Sequence, residues 1–418
     1  MLANASIHLG GLADLALAAQ ERGNRSGYND RLCSATETVA KIRPLMPQFG
    51  ITRLACVTGL DSVGISVWAA IRPNSRTLAQ SQGKGIDESA AQASALMEAV
   101  EVATAERTDL EFVHASPRAL TLSGTSYDRL DGMLRRGSSP IDDDHSIDWL
   151  EGHNLITDRP VLVPGETVTL WDARVRSRYW QSTDGLASGN TLWEAVLHGL
   201  CERIERDAMA LWLLRPDTDV MGRCVDPASF DDPVIRALVQ AIALAGLELR
   251  LFDASSNTGT PVFTAFIFPP VDGYEHTWKH FDLSSGCGCH PSPLRAAIRA
   301  ITEAAQTRLT TISAGRDDFD PEVYRQGLDP SLLVYPRSQP IFRHDLKEPT
   351  HPDRAKYLPT MIERLRGVGI RSIIVVPMES GERGFAVVKI LVPDLESPSG
   401  DRQTRFGPRA IAFIEAQS

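Results

Sequence analysis

Cysteine is scarce. The 418 residues hold six (Cys33, Cys56, Cys201, Cys224, Cys287 and Cys289), too few and too scattered for the disulfide framework of a small secreted protein. A cytoplasmic location is therefore expected. Long apolar runs are missing too: none approaches the ~18 residues that a bilayer crossing requires. The N-terminal stretch carries no early Lys or Arg, and Gly10, Gly11 and Asp14 interrupt it, so it reads poorly as a secretion signal. Neither export nor a membrane partner is expected. Basic charge is short as well: 43 Lys and Arg stand against 53 Asp and Glu, a formal net charge of -10. Nonspecific nucleic-acid binding needs a basic face that releases counterions, so a nucleic-acid partner is not expected.

Several catalytic signatures are absent. No GxxxxGK[ST] is present, no GxGxxG opens a helix after a strand, and neither HExxH nor GxSxG occurs, which removes P-loop, dinucleotide-fold, zincin and serine-hydrolase readings. Cys287-Gly288-Cys289-His290 has no second ligand pair at zinc spacing; it reads as a glycine-rich loop ahead of a helix. Cys201 reads as a small packing residue.

What is present is an ordinary globular composition, 43% hydrophobic and 23% charged, with ample length for a core. Residues 1–30 read as an N-terminal extension. From Ile51, two Val- and Ile-rich runs around Gly59-Leu60-Asp61 read as strand, turn, strand. Helices are expected over 87–107, with Asp87 as N-cap, over 191–214 and over 292–313. Strand patterns follow in LELRLFDAS, PVFTAFIFP, RSIIVVPM and FAVVKILVP. Strands and helices interleave without a clear linker, which predicts one large mixed α/β domain over 31–418.

The three helices carry the chemistry. Asn190, Glu194, His198, Glu202 and Arg206 recur every fourth residue and share one slowly drifting polar stripe. A solvated face with i,i+4 support from Glu202 to Arg206 is the plain alternative. Three features argue for more. The stripe follows a Gly-rich turn, TDGLASGNT, of the kind that offers free N–H groups to an anion. Ser94, Glu98 and Glu101 form a similar set after Gly-flanked Lys84, and Arg299, Glu303, Gln306 and Thr310 form a third. Carboxylates gathered together repel unless cations sit between them. Hard oxygen ligands point to Mg²⁺, which commonly binds one or two carboxylates plus substrate phosphate. Lys84 and Arg206 would then neutralise phosphate oxygens.

GLDSVGISVWAAIRPNSRTLAQSQGKG, SALMEAVEVATAER, GLASGNTLWEAVLHGLCERIERDA and LRAAIRAITEAAQTRLTTISAGRDD, in that order, resemble the YcaO family of ATP-dependent peptide-backbone kinases, closest to the branch that works with a TfuA partner. The resemblance runs from about Arg31 to Ala412. It implies ATP and Mg²⁺ as cofactors and O-phosphorylation of a peptide amide in a ribosomally made substrate. Thioamide formation beside a TfuA-type partner is the leading expectation. Azoline-forming cyclodehydration, or a non-catalytic ATP-binding accessory role in ribosomal-protein modification, is the alternative. The family's Ser-x-x-x-Glu-x-x-Glu signature falls on Ser94, Glu98 and Glu101, and its second series on Asn190, Glu194, Glu202 and Arg206. Glu98, Glu101, Glu194 and Glu202 are the implied metal ligands, and Glu303 and Gln306 further nucleotide contacts. Lys84 is a phosphate candidate from its own context. Many azoline-forming members end in Pro-x-Pro-x-Pro, whereas the last residues here, RFGPRAIAFIEAQS, hold only Pro408; this leans towards thioamidation. A separate peptide-recognition protein and a homodimer complete the expected partners.

Overall fold

The computed structural model describes residues 28, 30–107, 109–170, 177–315, 321–346, 354–380, 383–397 and 406–417. The extension expected over 1–30 therefore lies, apart from Tyr28 and Asp30, outside the described residues. The fold is mixed α/β, with three antiparallel sheets. The chain divides into two compact units, one of residues 1–34, 100–210 and 353–418, the other of 35–99 and 211–352. The division falls inside two helices, after Ala99 and after Ala210.

In the 35–99 and 211–352 unit, strands Arg53–Cys56, Val67–Ile71 and Gln80–Lys84 form a three-stranded sheet. Gly-flanked Lys84 thus lies at the end of a strand: Lys84 pairs with Val67 and Gly83 with Trp68. Polar residues tolerate this strand because alternate side chains meet different helices. Gly83 lies against Ala91 and Ala95, while Gln82 and Lys84 meet the helix Pro293–Ser313.

A four-stranded sheet follows, Cys224–Val225, Glu248–Asp253, Val262–Phe268 and Ser284–Cys289, in the order of the chain. The Cys-Gly-Cys segment is its edge strand and not a loop. Its glycines have a steric reason: a Cβ at Gly286 or Gly288 would come within 2.1 or 2.2 Å of the Ala304 or Ala296 backbone. Strand and helix therefore touch backbone to backbone, helped by the buried alanines 296, 300 and 304. Ser292 starts that helix by accepting a hydrogen bond from Arg295 N, with Pro293 in the first turn.

The other unit is built on a six-stranded sheet running Val113–Ala115, Ile147–Asn154, Ile374–Ser380, Ala386–Leu391 and Leu186–Gly189, with Arg159–Pro164 paired to the second of these. Ala386–Leu391 is buried along its whole length. The helix Leu192–Trp212 supplies Val196, Leu200 and Ile204 to the core. Cys201 is buried among them, as a packing residue should be. Among the described residues no helix is long and apolar enough to cross a membrane.

Candidate functional site

The Gly-rich segment before the second helix is a strand, Leu186–Gly189, and it leads directly into the cap. Thr191 Oγ1 accepts Glu194 N at 3.2 Å, so the first helical turn is closed by its own side chains. Glu194 is only 4% exposed. Its Oε2 accepts from Asn190 N (2.8 Å), Asn190 Nδ2 (3.2 Å) and Arg31 Nη1 (3.3 Å), and its Oε1 from Leu32 N (2.5 Å). Asn190 and Glu194 are thus brought together as a hydrogen-bonded pair, fastened to residues 31 and 32. Glu101, also buried, accepts from Ser188 Oγ at 2.5 Å.

About two turns further along the helix lies the denser part of the set. Glu202 Oε2 accepts Gly185 N at 3.2 Å, and its Oε1 lies 3.5 Å from Arg206 Nη2. Arg206 Nε lies 3.4 Å from Asp184 Oδ1. Asp184 Oδ2 takes Arg203 Nη1 at 3.3 Å and the Ser397 hydroxyl at 2.9 Å. Lys389, from the buried strand, donates to Ser182 O at 2.6 Å. Arg203, Arg206 and Lys389 thus gather around Asp184 and Glu202. Burial pushes the Glu202 carboxyl above its ordinary range, against the pull of Arg206. Burial alone would raise Asp184 too, but Arg203 and Arg206, with Ser397 and Lys389, outweigh it and hold that carboxyl low.

The same burial pushes the Lys389 ammonium down to about 8, although Asp184 and Glu202 pull it the other way. Above that pH the unfolded chain, with an ordinary lysine, binds more protons than the folded one, so this group adds stability as pH rises from about 8 to about 10. Wild type is expected to gain up to roughly 3 kcal/mol over that window relative to Lys389→Met. Urea unfolding of both proteins on either side of about pH 8 checks this; parallel stabilities would refute it.

In the other unit, Lys84 Nζ is 2.6 Å from Glu303 Oε2, so the phosphate candidate already has a carboxylate partner. Glu303 Oε1 accepts Cys287 N at 3.4 Å. Gln306 Nε2 donates to Gln82 O at 2.7 Å, and Thr310 bonds the Gln82 side chain. Ser94 and Glu98 are half-buried on the helix Glu88–Ala105, which Asp87 caps through Ala90 N.

Sequence reasoning missed Asp184, Arg203, Lys389 and Arg31. Lys389 left one readable signal, a lone charge inside AVVKILV. Asp184 lies in the Gly-rich segment TDGLASGNT, whose pattern signals backbone N–H groups and not a carboxylate.

Among the described residues no three His, Cys, Asp or Glu side chains stand at metal-binding spacing. The donors present are carboxylates, hydroxyls and an amide, hard oxygen chemistry that fits Mg²⁺ sharing its shell with phosphate and does not fit zinc.

A family model described as "YcaO cyclodehydratase, ATP-ad Mg2+-binding" matches residues 82–396. The chain is 40% identical over 404 residues, 93% of this chain and 94% of the relative, to a Rhizobium leguminosarum bv. trifolii protein described as "Uncharacterized protein in tfuA 3'region". It is 32% identical over 399 residues, 91% and 98% of the two chains, to a protein of Methanothermobacter thermautotrophicus. Among solved structures it resembles YcaO from Methanopyrus kandleri bound with AMPPCP and Mg²⁺, at 22% identity and a TM-score of 0.66 over 88% of this chain and 93% of that one. A heterocyclase in complex with substrate and cofactor matches at 20% identity and a TM-score of 0.74, over 96% of this chain. The chain spans 58% of that heterocyclase's length.

Proposed function

The chain belongs to the YcaO family, and from that premise we propose that it binds ATP with Mg²⁺ and uses it to activate a backbone amide of a peptide or protein. The observation that carries this reading is the buried charge cluster of Asp184, Glu202, Arg203, Arg206 and Lys389. Buried carboxylates kept beside a half-buried arginine are costly to fold around and suited to a polyphosphate with its metal. Bound there, ATP and Mg²⁺ would supply the phosphoryl group that turns an amide oxygen into a leaving group.

The chain's own residues divide the work. Arg206 neutralises phosphate oxygens. Glu98, Glu101 and Glu202 are the carboxylates offered to the metal. Glu194, with both oxygens engaged by protein donors, orients Asn190 and the helix start. Lys84, Ser94, Glu303 and Gln306 are the further nucleotide contacts. No covalent protein nucleophile is needed, since positioning and charge neutralisation do most of the work in phosphoryl transfer.

The relative from a tfuA region supports a TfuA-type partner, and with such a partner the product we propose is a thioamide formed from an external sulfide. The family model's description as a cyclodehydratase supports azoline formation as the second reading. Mass spectrometry of a candidate peptide incubated with the protein, its partner, ATP, Mg²⁺ and sulfide separates them. Replacement of one oxygen by sulfur is expected; loss of one water selects the azoline. ATP that binds but is never consumed, with peptide and partner present, overturns both in favour of an accessory role.

A further inference from the structure

We propose that Asp184 is a positioning residue for Arg206: it acts on the nucleotide through that arginine without touching the nucleotide itself, with Arg203, Ser397 and Lys389 as its buried supports. The inference rests on the nucleotide reading above and adds a residue to it.

The two oxygens of Asp184 have different neighbours. Oδ2 is tied to Arg203 Nη1 and Ser397 Oγ, and Arg203 is itself buried and donates to Glu396 O at 3.3 Å. That side of the carboxylate is anchored in the fold. Oδ1 is turned to Arg206 Nε, whose side chain is 33% exposed against 11% for Asp184. A fixed, buried carboxylate thus lies at ion-pair distance, 3.4 Å, from the inner nitrogen of a guanidinium that reaches solvent, and among the described residues no hydrogen bond forms at that nitrogen.

The turn carrying Asp184 is also immobilised. Gly185 has φ +77°, and a Cβ there would lie 2.3 Å from Ile390 O, so the turn sits against the buried strand with no room for a side chain. Lys389 of that strand holds Ser182 O. Gly185 N, the next donor along, holds Glu202. Arg206 is therefore bracketed by Asp184 and Glu202, both fixed by residues 182–185.

Magnitudes separate this role from a merely stabilising one. An ion pair to a one-third exposed arginine contributes little to folding. A guanidinium fork held in register for phosphate contributes through charge-assisted bonds that are each much stronger. Removing Asp184 should therefore be read more strongly in nucleotide affinity than in the share of stability owed to Arg206.

The test is a double-mutant cycle by calorimetric titration of AMPPCP with Mg²⁺ into the full chain, with circular dichroism as the folding control. R206Q and D184N are each expected to weaken binding by about tenfold, and D184N/R206Q to bind no more weakly than R206Q alone. Ser397→Ala removes only the bond to the far oxygen and serves if D184N does not fold. It is expected to weaken binding roughly two- to threefold in the parent and not at all in R206Q. Additive losses, or D184N and Ser397→Ala binding like the parent while R206Q is weakened, overturn the positioning role and leave the nucleotide reading standing. R206Q binding as tightly as the parent overturns the nucleotide reading and this inference with it.

Discussion

Glu202→Gln is expected to weaken Mg²⁺–ATP binding about 10- to 100-fold while leaving folding stability unchanged or slightly higher. The two signs come from one fact. Burial raises the Glu202 carboxyl above its ordinary value, so the folded state favours the protonated form more than the unfolded state does. Ionising this group therefore costs stability as pH rises from the ordinary carboxylate value through the raised one. Gln keeps the volume and an oxygen for Gly185 N and removes the charge. If the carboxylate were only structural, its loss would leave nucleotide affinity unchanged. If it serves nucleotide and metal, the loss is that of a charge-assisted contact, roughly 1.5–3 kcal/mol, which is the range expected. Titration of AMPPCP with Mg²⁺ beside urea unfolding of the same variant measures both signs. Unchanged affinity would remove Glu202 from the site, and a large drop in stability would make its role structural.

The sequence carried the three long helices because their information is local. Asp87, Thr191 and Ser292 cap them, and beyond the first turn long runs without Pro or a turn signal follow. The stripe from Asn190 to Arg206 was legible for the same reason, since i,i+4 spacing is a local property. Gln80–Lys84 and Ser284–Cys289 were not legible as strands. Their residues, QSQGK and SSGCGC, lack the β-branched alternation of a half-buried strand because each lies against a helix. Close backbone approach selects glycine over shape-filling side chains. Asp184, Lys389 and Arg31 were missed because their partners lie far along the chain, 207 residues apart for Lys389 and Ser182 and 163 for Arg31 and Glu194. No periodicity reports a contact at such separation. The division of the chain after Ala99, inside an unbroken helix, leaves no composition signal either.

Arg409→Ala is expected to lower stability by about 3–5 kcal/mol, the largest folding effect of any single substitution considered. Asp207, on the helix Leu192–Trp212, is fully buried. Arg409 Nε and Nη2 each reach one of its oxygens at 2.8 Å, and Glu396 N adds a third donor at 3.0 Å. Arg409 belongs to the helix Pro408–Glu415, whose start is held by Glu396 accepting from Gly407 N and Ala410 N. Truncating the arginine leaves a buried carboxylate with one backbone donor, and an uncompensated buried charge is what makes broken interior pairs costly. The pair itself need not be worth that much, because desolvating both ions offsets most of their attraction. Neutralising both members, as in Asp207→Asn with Arg409→Gln, should therefore cost less than Arg409→Ala alone. Urea unfolding of the two variants tests the ordering. A double variant weaker than the single one would mean that the pair's attraction, and not the stranded charge, dominates; a loss below about 1 kcal/mol for Arg409→Ala would mean that the C-terminal helix does not shield Asp207 from water.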